Sequence, residues 1–488
     1  MKAKYNFNIN FIIYQLGLIL IAEAFFMIFP IIVGLYYKEA VVDKVVLSME
    51  ITLVIGLILF FTTKSKTVKD YGKRESFLLV SLAWILMSFF GAIPFILSNK
   101  IPNVIDAYFE SMSGFTTTGS SILTDIEAMP KCLLFWRSET HWIGGLGIVV
   151  LFVALFPFLK TKRIYLFNAE ASVVVEQKTM PKIIDLARNL WIFYMIITAI
   201  ETALLMFGGM NLYESLCHTF GTVGTGGFST RNASIGAFSP YIQYVITIFM
   251  ILAGVNFALY IQLLKRKFSN VYKNDELRAY LSIILLSGAV ITAVLLIKGT
   301  YSHFEEAFRA AYFQVASIIT ATGYATADYM KWPPAAIIII VLLMFIGGSA
   351  GSTSGGIKVI RHVIFFKTFG RFLKKQVHQE LIAPIYYNRR RVDEEVIQGV
   401  LLFIITYVGI VFIATVVLIY MGVDIESAFG STLTTIGGIG PGLGITGPAG
   451  NFSQLPYMAK FVLIFLMLIG RLEIFTFFVI FTKSFRKG

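Results

Sequence analysis

One pattern decides the fold of this chain: a short stretch with a central glycine occurs four times between long apolar segments. The four stretches are Thr116-Thr117-Thr118-Gly119-Ser120, Val223-Gly224-Thr225-Gly226-Gly227, Thr320-Ala321-Thr322-Gly323-Tyr324 and Gly438-Ile439-Gly440-Pro441-Gly442. Three of them place threonine directly before glycine, and the fourth has isoleucine there. One Thr-Gly pair carries no information, whereas four aligned glycine breaks predict one structural unit that occurs four times.

Each glycine stretch ends a segment that is apolar but too short to span a membrane, which takes about 20 residues. The four segments are Asp106–Gly119, Tyr213–Gly226, Glu306–Gly323 and Asp424–Gly440. A helix that enters the bilayer and returns is tolerated only where its non-helical end lines a water-filled path. We therefore predict four re-entrant helices, each followed by a pore loop, with ordinary glycine-rich loops as the alternative.

The composition is that of a membrane protein. Of the 488 residues, 57% are hydrophobic and only 14% charged, and the mean hydropathy is +0.77, which excludes a water-soluble domain of this length. Ten membrane spans are predicted near Phe11–Tyr36, Ser48–Thr63, Phe77–Leu97, Leu134–Leu159, Leu190–Gly208, Tyr241–Leu264, Leu277–Ile297, Pro334–Phe366, Val396–Met421 and Tyr457–Phe481. The first is longer than a signal-peptide core and is interpreted as a retained span.

The net charge of +13 follows the predicted topology. If the amino terminus is cytoplasmic, most Lys and Arg residues fall on the cytoplasmic side, as the positive-inside rule requires. The cytoplasmic segments are then Lys64–Arg74, Lys160–Arg188, Lys265–Arg278, Arg361–Arg391 and Lys483–Lys487. These loops contain no separate folded module, so a nucleic-acid partner is not expected. We predict a multi-pass protein of the inner membrane of a prokaryote, in contact with the lipid bilayer, with both termini cytoplasmic.

The predicted fold class is an all-α polytopic membrane protein. It comprises four helix, pore-loop, helix repeats in a pseudo-fourfold arrangement around one pore, with an N-terminal pair of transmembrane helices. The predicted units are residues 1–70 for the N-terminal pair, 71–188 for repeat 1, 189–275 for repeat 2, 276–392 for repeat 3 and 393–488 for repeat 4. Four such loops around one axis would surround a dehydrated cation with backbone carbonyl oxygens, and glycine permits the necessary backbone angles.

The second span of repeat 3 is interrupted by a run of small residues. Its sequence is Gly347-Gly348-Ser349-Ala350-Gly351-Ser352-Thr353-Ser354-Gly355-Gly356, and we name it the glycine-serine loop. Each glycine costs a helix about 1 kcal/mol relative to alanine, so a helical break is predicted here. A phosphate-binding loop would need a lysine spacing that is absent. Close packing of helices through small residues remains an alternative.

Arg471 lies within the last predicted span, between stretches that are apolar or small apart from Glu473 and Thr476, where a charged side chain needs a cavity or a partner. Glu473 is two residues away and does not share a helical face with it. The carbonyl-rich glycine-serine loop is the better candidate, and a pairing that only locks two repeats together is the alternative. Asp106 and Glu110 are candidates to attract cations at the entrance, and the five histidines show no metal-ligand spacing.

Several longer motifs carry a resemblance over essentially the whole chain. They are Gly114-Phe115-Thr116-Thr117-Thr118-Gly119, Phe135-Trp136-Arg137-Ser138, Trp142-Ile143-Gly144-Gly145-Leu146-Gly147, Thr225-Gly226-Gly227-Phe228-Ser229, Ala321-Thr322-Gly323-Tyr324, Gly440-Pro441-Gly442-Leu443-Gly444 and Gly470-Arg471-Leu472-Glu473. The chain resembles the TrkH/KtrB/HKT superfamily of potassium transporters, and the extra N-terminal pair of spans is similar to the TrkH branch.

The resemblance implies potassium as the transported ion, no organic cofactor in this chain, and Gly119, Gly226, Gly323 and Gly440 as the selectivity-filter glycines. Relatives that favour sodium have serine at the first of these positions, so Gly119 implies a preference for potassium. It also implies that the glycine-serine loop is the gate, with Arg471 against it. The implied partners are a second copy of this chain and a TrkA-like cytosolic subunit that binds ATP, ADP and NAD(H).

Other classes of function fit the sequence less well. An enzyme would need a nucleophile with a base, or a metal cluster, within the spans, and the sequence shows neither. A secondary transporter with inverted halves would not contain four repeats in one orientation, and a receptor-like scaffold would leave four glycine stretches without a role. We predict potassium uptake through a carbonyl-lined filter, with a sodium- or proton-coupled symporter on the same scaffold as the alternative.

Overall fold

The structure is a computed structural model that describes residues 7–64, 73–145, 147, 180–483 and 485. This part of the chain is mostly helical. Its strands form one small antiparallel hairpin, Tyr386–Tyr387 with Arg390–Arg391. The predicted cytoplasmic segment Lys160–Arg188 lies largely outside the described residues, as does most of Lys64–Arg74.

Within the described residues, six helices are long and apolar enough to cross a membrane. They are Ile9–Tyr36, Val42–Thr63, Arg74–Leu97, Ala187–Phe207, Asp275–Ile297 and Glu394–Tyr420, and each coincides with a predicted span. The first consists of two helices, Ile9–Phe26 and Ile28–Tyr36, with a turn at Met27. It packs on Val42–Lys64 so closely that a Cβ added to Gly17 would overlap the backbone of Gly56 and Phe60. Small residues permit this close contact between apolar helices.

Four repeats follow this N-terminal pair, and they confirm the predicted fold class. The first helices of the repeats are Lys73–Leu97, Met180–Phe207, Asp275–Ile297 and Glu394–Tyr420. The re-entrant helices are Val104–Phe115, Leu212–Val223, Phe304–Ile319 and Ile425–Gly437. The second helices begin as Lys131–Gly145, Pro240–Ala253, Pro334–Met344 and Tyr457–Arg471. All four re-entrant helices have at most 16 residues, so none is long enough to span.

Side chains at their amino ends explain where three of the four re-entrant helices begin. Asn103, Asn211 and Asp424 each accept a hydrogen bond from backbone N–H groups in the first turn, which is a helix-capping arrangement that contributes about 1 kcal/mol. The other end of each helix leads directly into its glycine stretch. The partial negative charge of the helix dipole therefore lies next to the glycine residues, where it favours a cation.

The second helices of repeats 2 and 4 differ from prediction because they are broken. The predicted span Tyr241–Leu264 consists of Pro240–Ala253 and Phe257–Leu264 at an angle of 92°, and the last span consists of Tyr457–Arg471 and Phe475–Phe481 at 102°. Asn256 caps the helix that follows the first break. At the second break, Glu473 and Ile474 both adopt a positive φ. Neither span is therefore one continuous helix.

The second helix of repeat 3 has a longer interruption. Pro334–Met344 ends before the glycine-serine loop, and Val359–Val377 begins after it, so the predicted break is present. In repeat 1, the helix Lys131–Gly145 covers the start of the predicted span Leu134–Leu159, and the rest of that span lies outside the described residues. The remaining short helices are Phe268–Tyr272, Ser234–Ala237, Tyr329–Lys331, Gly444–Thr446, Phe475–Phe478 and Val479–Phe481.

Candidate functional site

The four glycine stretches share one backbone conformation. Each has two left-handed positions separated by one residue. The first left-handed positions are Thr117, Thr225, Ala321 and Gly438, with φ from 53° to 66°, and the second are Gly119, Gly227, Gly323 and Gly440, with φ from 76° to 98°. We name residues 116–119, 224–227, 320–323 and 437–440 glycine loops 1 to 4. Their common geometry demonstrates the internal repeat at the level of single residues.

This geometry changes the alignment of repeat 2 by one residue. The sequence aligned Val223-Gly224-Thr225-Gly226 with the other stretches, which made Gly226 the counterpart of Gly119. In the structure the re-entrant helix of repeat 2 continues to Val223, and Gly227 has the left-handed conformation that Gly119 has. Two consecutive glycines, Gly226 and Gly227, allowed either alignment in the sequence. The backbone angles select Gly227.

The glycine loops contact one another in a closed ring. A Cβ added to Gly119 would overlap the carbonyl oxygen of Gly226 in loop 2, and one added to Gly227 would overlap that of Thr322 in loop 3. In the same way, Gly323 lies against the carbonyl oxygen of Ile439 in loop 4. A Cβ on Gly440 would lie 3.1 Å from the carbonyl oxygen of Thr118, which returns to loop 1. The four loops therefore surround one axis, with backbone in contact at every junction.

A buried ion pair supports the segments that follow loops 1 and 2. Arg137 Nε lies 2.5 Å from Glu110 Oε1, and the two side chains are 2% and 0% exposed. Glu110 also accepts hydrogen bonds from Ser121 Oγ and Ile122 N, each at 2.9 Å. The guanidinium of Arg137 donates to the carbonyl oxygen of Ser229 at 3.1 Å. The ion pair therefore connects repeats 1 and 2, because Glu110 binds a backbone N–H group of one and Arg137 binds a backbone carbonyl group of the other.

The expectation that Asp106 and Glu110 attract cations at the entrance was wrong for Glu110, which is fully buried and neutralised by Arg137. Asp106 is paired as well, since Lys460 Nζ lies 2.7 Å from its carboxylate. Both carboxylates connect elements of the fold. Sequence reasoning missed these pairs because their partners lie 27 and 354 residues away.

Replacing Arg137 with alanine is expected to destabilise the protein by about 3 to 5 kcal/mol, because it leaves the Glu110 carboxylate buried without its counter-charge. Thermal unfolding of the purified protein in detergent measures this. The control is Lys44→Ala, since Lys44 and its partner Asp43 are 47% and 63% exposed, and an exposed pair contributes at most about 1 kcal/mol. Equal shifts for the two variants would contradict the role assigned to Arg137.

The glycine-serine loop folds back against the repeats around it. Ser349 N donates to the carbonyl oxygen of Gly254 at 2.9 Å, and Phe257 N donates to that of Gly351 at 3.0 Å, so the loop joins the break in repeat 2. Gly348 N donates to Ser354 Oγ at 2.8 Å within the loop. A Cβ on Gly355 would overlap the carbonyl oxygen of Gly437, at the base of glycine loop 4. The loop therefore lies directly beside the ring.

Arg471 contacts both the ring and the glycine-serine loop. Its Nη1 lies 3.3 Å from Thr117 Oγ1 in glycine loop 1 and 3.3 Å from the carbonyl oxygen of Thr353 in the glycine-serine loop. Its Nη2 donates to the carbonyl oxygens of Gly144 and Gly145, the latter at 3.2 Å. The structure thus places Arg471 beside the loop, as predicted. Glu473 is paired with Arg361.

Two charged residues near the glycine-serine loop were not singled out in the sequence. Lys358 follows the loop, is 5% exposed and donates to the carbonyl oxygen of Ser354. Glu276 is 2% exposed and accepts hydrogen bonds from Ala350 N at 2.8 Å and Ile360 N at 3.1 Å. The position of Lys358, directly after small and apolar residues, was a usable signal. Glu276 gave none, because it stands at a helix start where acidic residues are common.

Side chains of the kinds that usually bind metal ions do not cluster in the part of the chain that the structure describes. No group of three or more His, Cys, Asp or Glu side chains there could hold a metal ion. His141 stacks on Phe228 at 4.0 Å between ring centroids, and His218 bonds to the carbonyl oxygen of Glu214 and to Ser229 Oγ. The polar groups at the junctions between the glycine loops are backbone carbonyl oxygens.

The chain is similar to known cation transport proteins along nearly its whole length. A family model described as TrkH, cation transport protein, matches residues 43–487. The Trk system potassium uptake protein TrkH of Escherichia coli K12 is 37% identical over 474 residues, covering 96% of this chain and 97% of that protein. The protein of the same name from Halomonas elongata is 33% identical over 482 residues, covering 98% and 99%. The crystal structure of the potassium transporter TrkH from Vibrio parahaemolyticus matches with a TM-score of 0.87 and 32% identity, covering 98% of this chain and 99% of that one.

Proposed function

Because this chain belongs to the TrkH family of cation transport proteins, we propose that it takes up potassium across the cytoplasmic membrane of a prokaryote. It is a membrane transporter and not an enzyme. Its relatives are named potassium uptake proteins, which supports potassium as the cargo. The membrane potential can supply the driving force, since moving one charge across 100 mV is worth about 2.3 kcal/mol.

The closed ring of glycine loops is the observation that carries this proposal. Backbone carbonyl oxygens arranged in rings replace the hydration shell of a potassium ion without any fixed charge. We assign the filter to Thr117, Thr118, Gly119, Thr225, Gly226, Gly227, Ala321, Thr322, Gly323, Gly438, Ile439 and Gly440, with Val223 and Gly224 leading into loop 2. The C-terminal ends of the four re-entrant helices add their partial negative charge nearby.

We propose that the glycine-serine loop is the gate and that Arg471 holds it in place. The residues concerned are Gly347, Gly348, Ser349, Gly351, Ser352, Gly355, Gly356 and Arg471. The contacts of Arg471 with Thr117 and with the carbonyl oxygen of Thr353 support this, because they connect the filter to the loop through one side chain. Withdrawal of the loop would break the second of these contacts.

Partners and topology remain proposals too. The name Trk system, carried by the relatives, implies further components, and we propose a cytosolic nucleotide-binding subunit and a homodimer. The proposed docking segments for the subunit are Lys160–Arg188, Lys265–Arg278 and Arg361–Arg391, on the side where both termini would lie, and the first lies largely outside the described residues. We retain the five sequence-based units, residues 1–70, 71–188, 189–275, 276–392 and 393–488, as the proposed domain division.

Reconstitution in liposomes with an imposed potassium or sodium gradient tests the function. The native chain is expected to pass potassium in preference to sodium, with no requirement for a proton gradient. Gly119→Ser is expected to lower the preference for potassium, because a Cβ at this position overlaps the carbonyl oxygen of Gly226 and displaces a filter ligand. Equal permeation of both ions in the native chain would remove the claim of selectivity. Flux that depends on a sodium or proton gradient would instead favour the coupled symporter.

A further inference from the structure

A polar cavity lies beside the glycine-serine loop, on the predicted cytoplasmic side. Its volume is about 710 Å³, within the range of small-molecule sites. Its walls come from the break in repeat 2 near Asn256, the start of the helix Asp275–Ile297, Ala350 in the glycine-serine loop and the hairpin with strands Tyr386–Tyr387 and Arg390–Arg391. None of the residues assigned to the filter lines it.

Positive charge dominates the lining of this cavity. Lys273, Arg389, Arg390 and Arg391 contribute four cationic side chains, while Glu276 and Asp393 contribute two carboxylates. Glu276 is buried, and its carboxylate is already engaged by the N–H groups of Ala350 and Ile360. Three consecutive arginines on a tight hairpin provide planar donors that suit phosphate oxygens. The charge and geometry therefore suit an anion that carries phosphate.

Apolar residues form another part of the lining. Leu259, Ile360, Ile364 and Val396 contribute aliphatic side chains beside the polar ones. An arginine-rich pocket next to aliphatic walls accommodates a phosphate that carries an organic group. Basic pockets of this kind on the cytoplasmic side of membrane helices also bind lipid headgroups.

The hairpin that carries the arginines is firmly attached to the elements that hold the glycine-serine loop. Asn388 Oδ1 accepts from Asp275 N at 2.8 Å, next to Glu276. Lys367 Nζ lies 2.8 Å from both the Asp275 carboxylate and the carbonyl oxygen of Tyr386. Lys367 belongs to the helix Val359–Val377, which begins directly after the loop. An occupant of the cavity would therefore contact Glu276 and Asn388, which belong to the contacts between the loop, the helix Asp275–Ile297 and the hairpin.

We propose that this cavity binds a phosphate-bearing anion, either a soluble phosphate compound or the headgroup of an anionic lipid, and that the bound anion fixes the position of the glycine-serine loop. The proposed binding of an anion rests on the cavity alone. The proposed effect of the bound anion on the glycine-serine loop rests on the proposed gate. An anion that bridges Arg389 and Arg391 on the hairpin to the loop at Ala350 would add a direct link between elements that the described residues connect through Glu276 and Lys367.

The test uses the full chain in phosphatidylcholine vesicles, alone and mixed with phosphatidylglycerol. Pyrophosphate binding is measured by calorimetry in the first preparation, and retention of phosphatidylglycerol by native mass spectrometry in the second. The double variant R389A/R391A is expected to weaken the binding of whichever anion binds by about tenfold or more, since charged hydrogen bonds are the strong ones. The control K298A/K331A removes two exposed lysines from the other end of the same repeat and is expected to leave binding unchanged.

The outcomes separate the two sources and the two halves of the proposal. Pyrophosphate binding without added lipid identifies a soluble anion, and selective retention of phosphatidylglycerol identifies a lipid. Binding of neither anion, or equal losses in both double variants, overturns the site. If the anion binds but potassium flux through the native chain does not respond to it, the link to the loop is overturned and the site stands. If the native chain passes no potassium at all, the proposed function fails, while the binding measurements still decide the site.

Discussion

Replacing Gly227 with alanine is expected to abolish potassium-selective flux in liposomes while the protein still folds. Gly227 has a φ of +76°, and a Cβ there would overlap the carbonyl oxygen of Thr322 in the next glycine loop. A non-glycine residue held in such a conformation costs about 1 to 3 kcal/mol. The clash adds to this cost and cannot be relieved by a side-chain rotation, because both groups are backbone. The ring must open at that junction, and the carbonyl oxygens then no longer face one axis.

Two further variants make this result specific. Gly422 has a φ of +91° but no atom within 4 Å of an added Cβ, so Gly422→Ala imposes the same backbone strain far from the ring. It should retain native selectivity. Gly226 lacks a positive φ, and its added Cβ would overlap the buried ring of His141 and not the backbone of another glycine loop. If Gly226→Ala destroys selectivity and Gly227→Ala preserves it, the alignment of repeat 2 from backbone angles is contradicted and the sequence alignment is restored.

The repeats themselves were predictable because their signals are local. Glycine after a short apolar helix marks a left-handed turn, and each of the four stretches supplied one. The break in repeat 3 was predictable for the same reason, since five glycines in ten residues exclude a stable helix. The six spans found within the described residues followed from length and apolarity alone.

The bends in repeats 2 and 4 could not be predicted from such signals. In both segments the mean hydropathy across the break stays high enough to predict one span, even though Arg471 and Glu473 lie at the break in repeat 4. At the bend in repeat 4, Glu473 has a positive φ, and its carboxylate pairs with Arg361, 112 residues away. That conformation depends on tertiary contacts. In repeat 2, Asn256 caps a new helix, but a single asparagine within a span is a weak signal.

The sequence predicted a break in the second span of repeat 3 alone, and the bends in repeats 2 and 4 correct this prediction. The second helices of repeats 2, 3 and 4 all break, so a break is a common property of those three repeats. What distinguishes repeat 3 is the length of its interruption, which separates Met344 from Val359, whereas the other two breaks separate Ala253 from Phe257 and Arg471 from Phe475. A long interruption has the freedom to move as a loop. The two short interruptions are bends, and residues at these bends contact the glycine-serine loop of repeat 3.

Replacing Arg471 with alanine is expected to raise potassium flux through the purified chain by about tenfold or more. One hydrogen bond from a charged donor contributes about 1.5 to 3 kcal/mol, and each 1.4 kcal/mol changes an equilibrium about tenfold. Arg471 contributes such a bond to the carbonyl oxygen of Thr353, and its removal releases the glycine-serine loop. The measurement is the initial rate of potassium uptake into liposomes without any partner protein.

Loss of the positive charge alone could also raise the flux, and Arg471→Lys separates the two effects. Lysine keeps the charge but lacks the planar group that reaches Thr117, Thr353 and the carbonyl oxygens of Gly144 and Gly145 together. If the contact with the loop matters, the lysine variant should conduct more than the native chain and less than the alanine variant. If charge alone matters, it should conduct like the native chain. Native flux in the alanine variant would remove Arg471 from gating and leave it the role of joining repeats 1, 3 and 4.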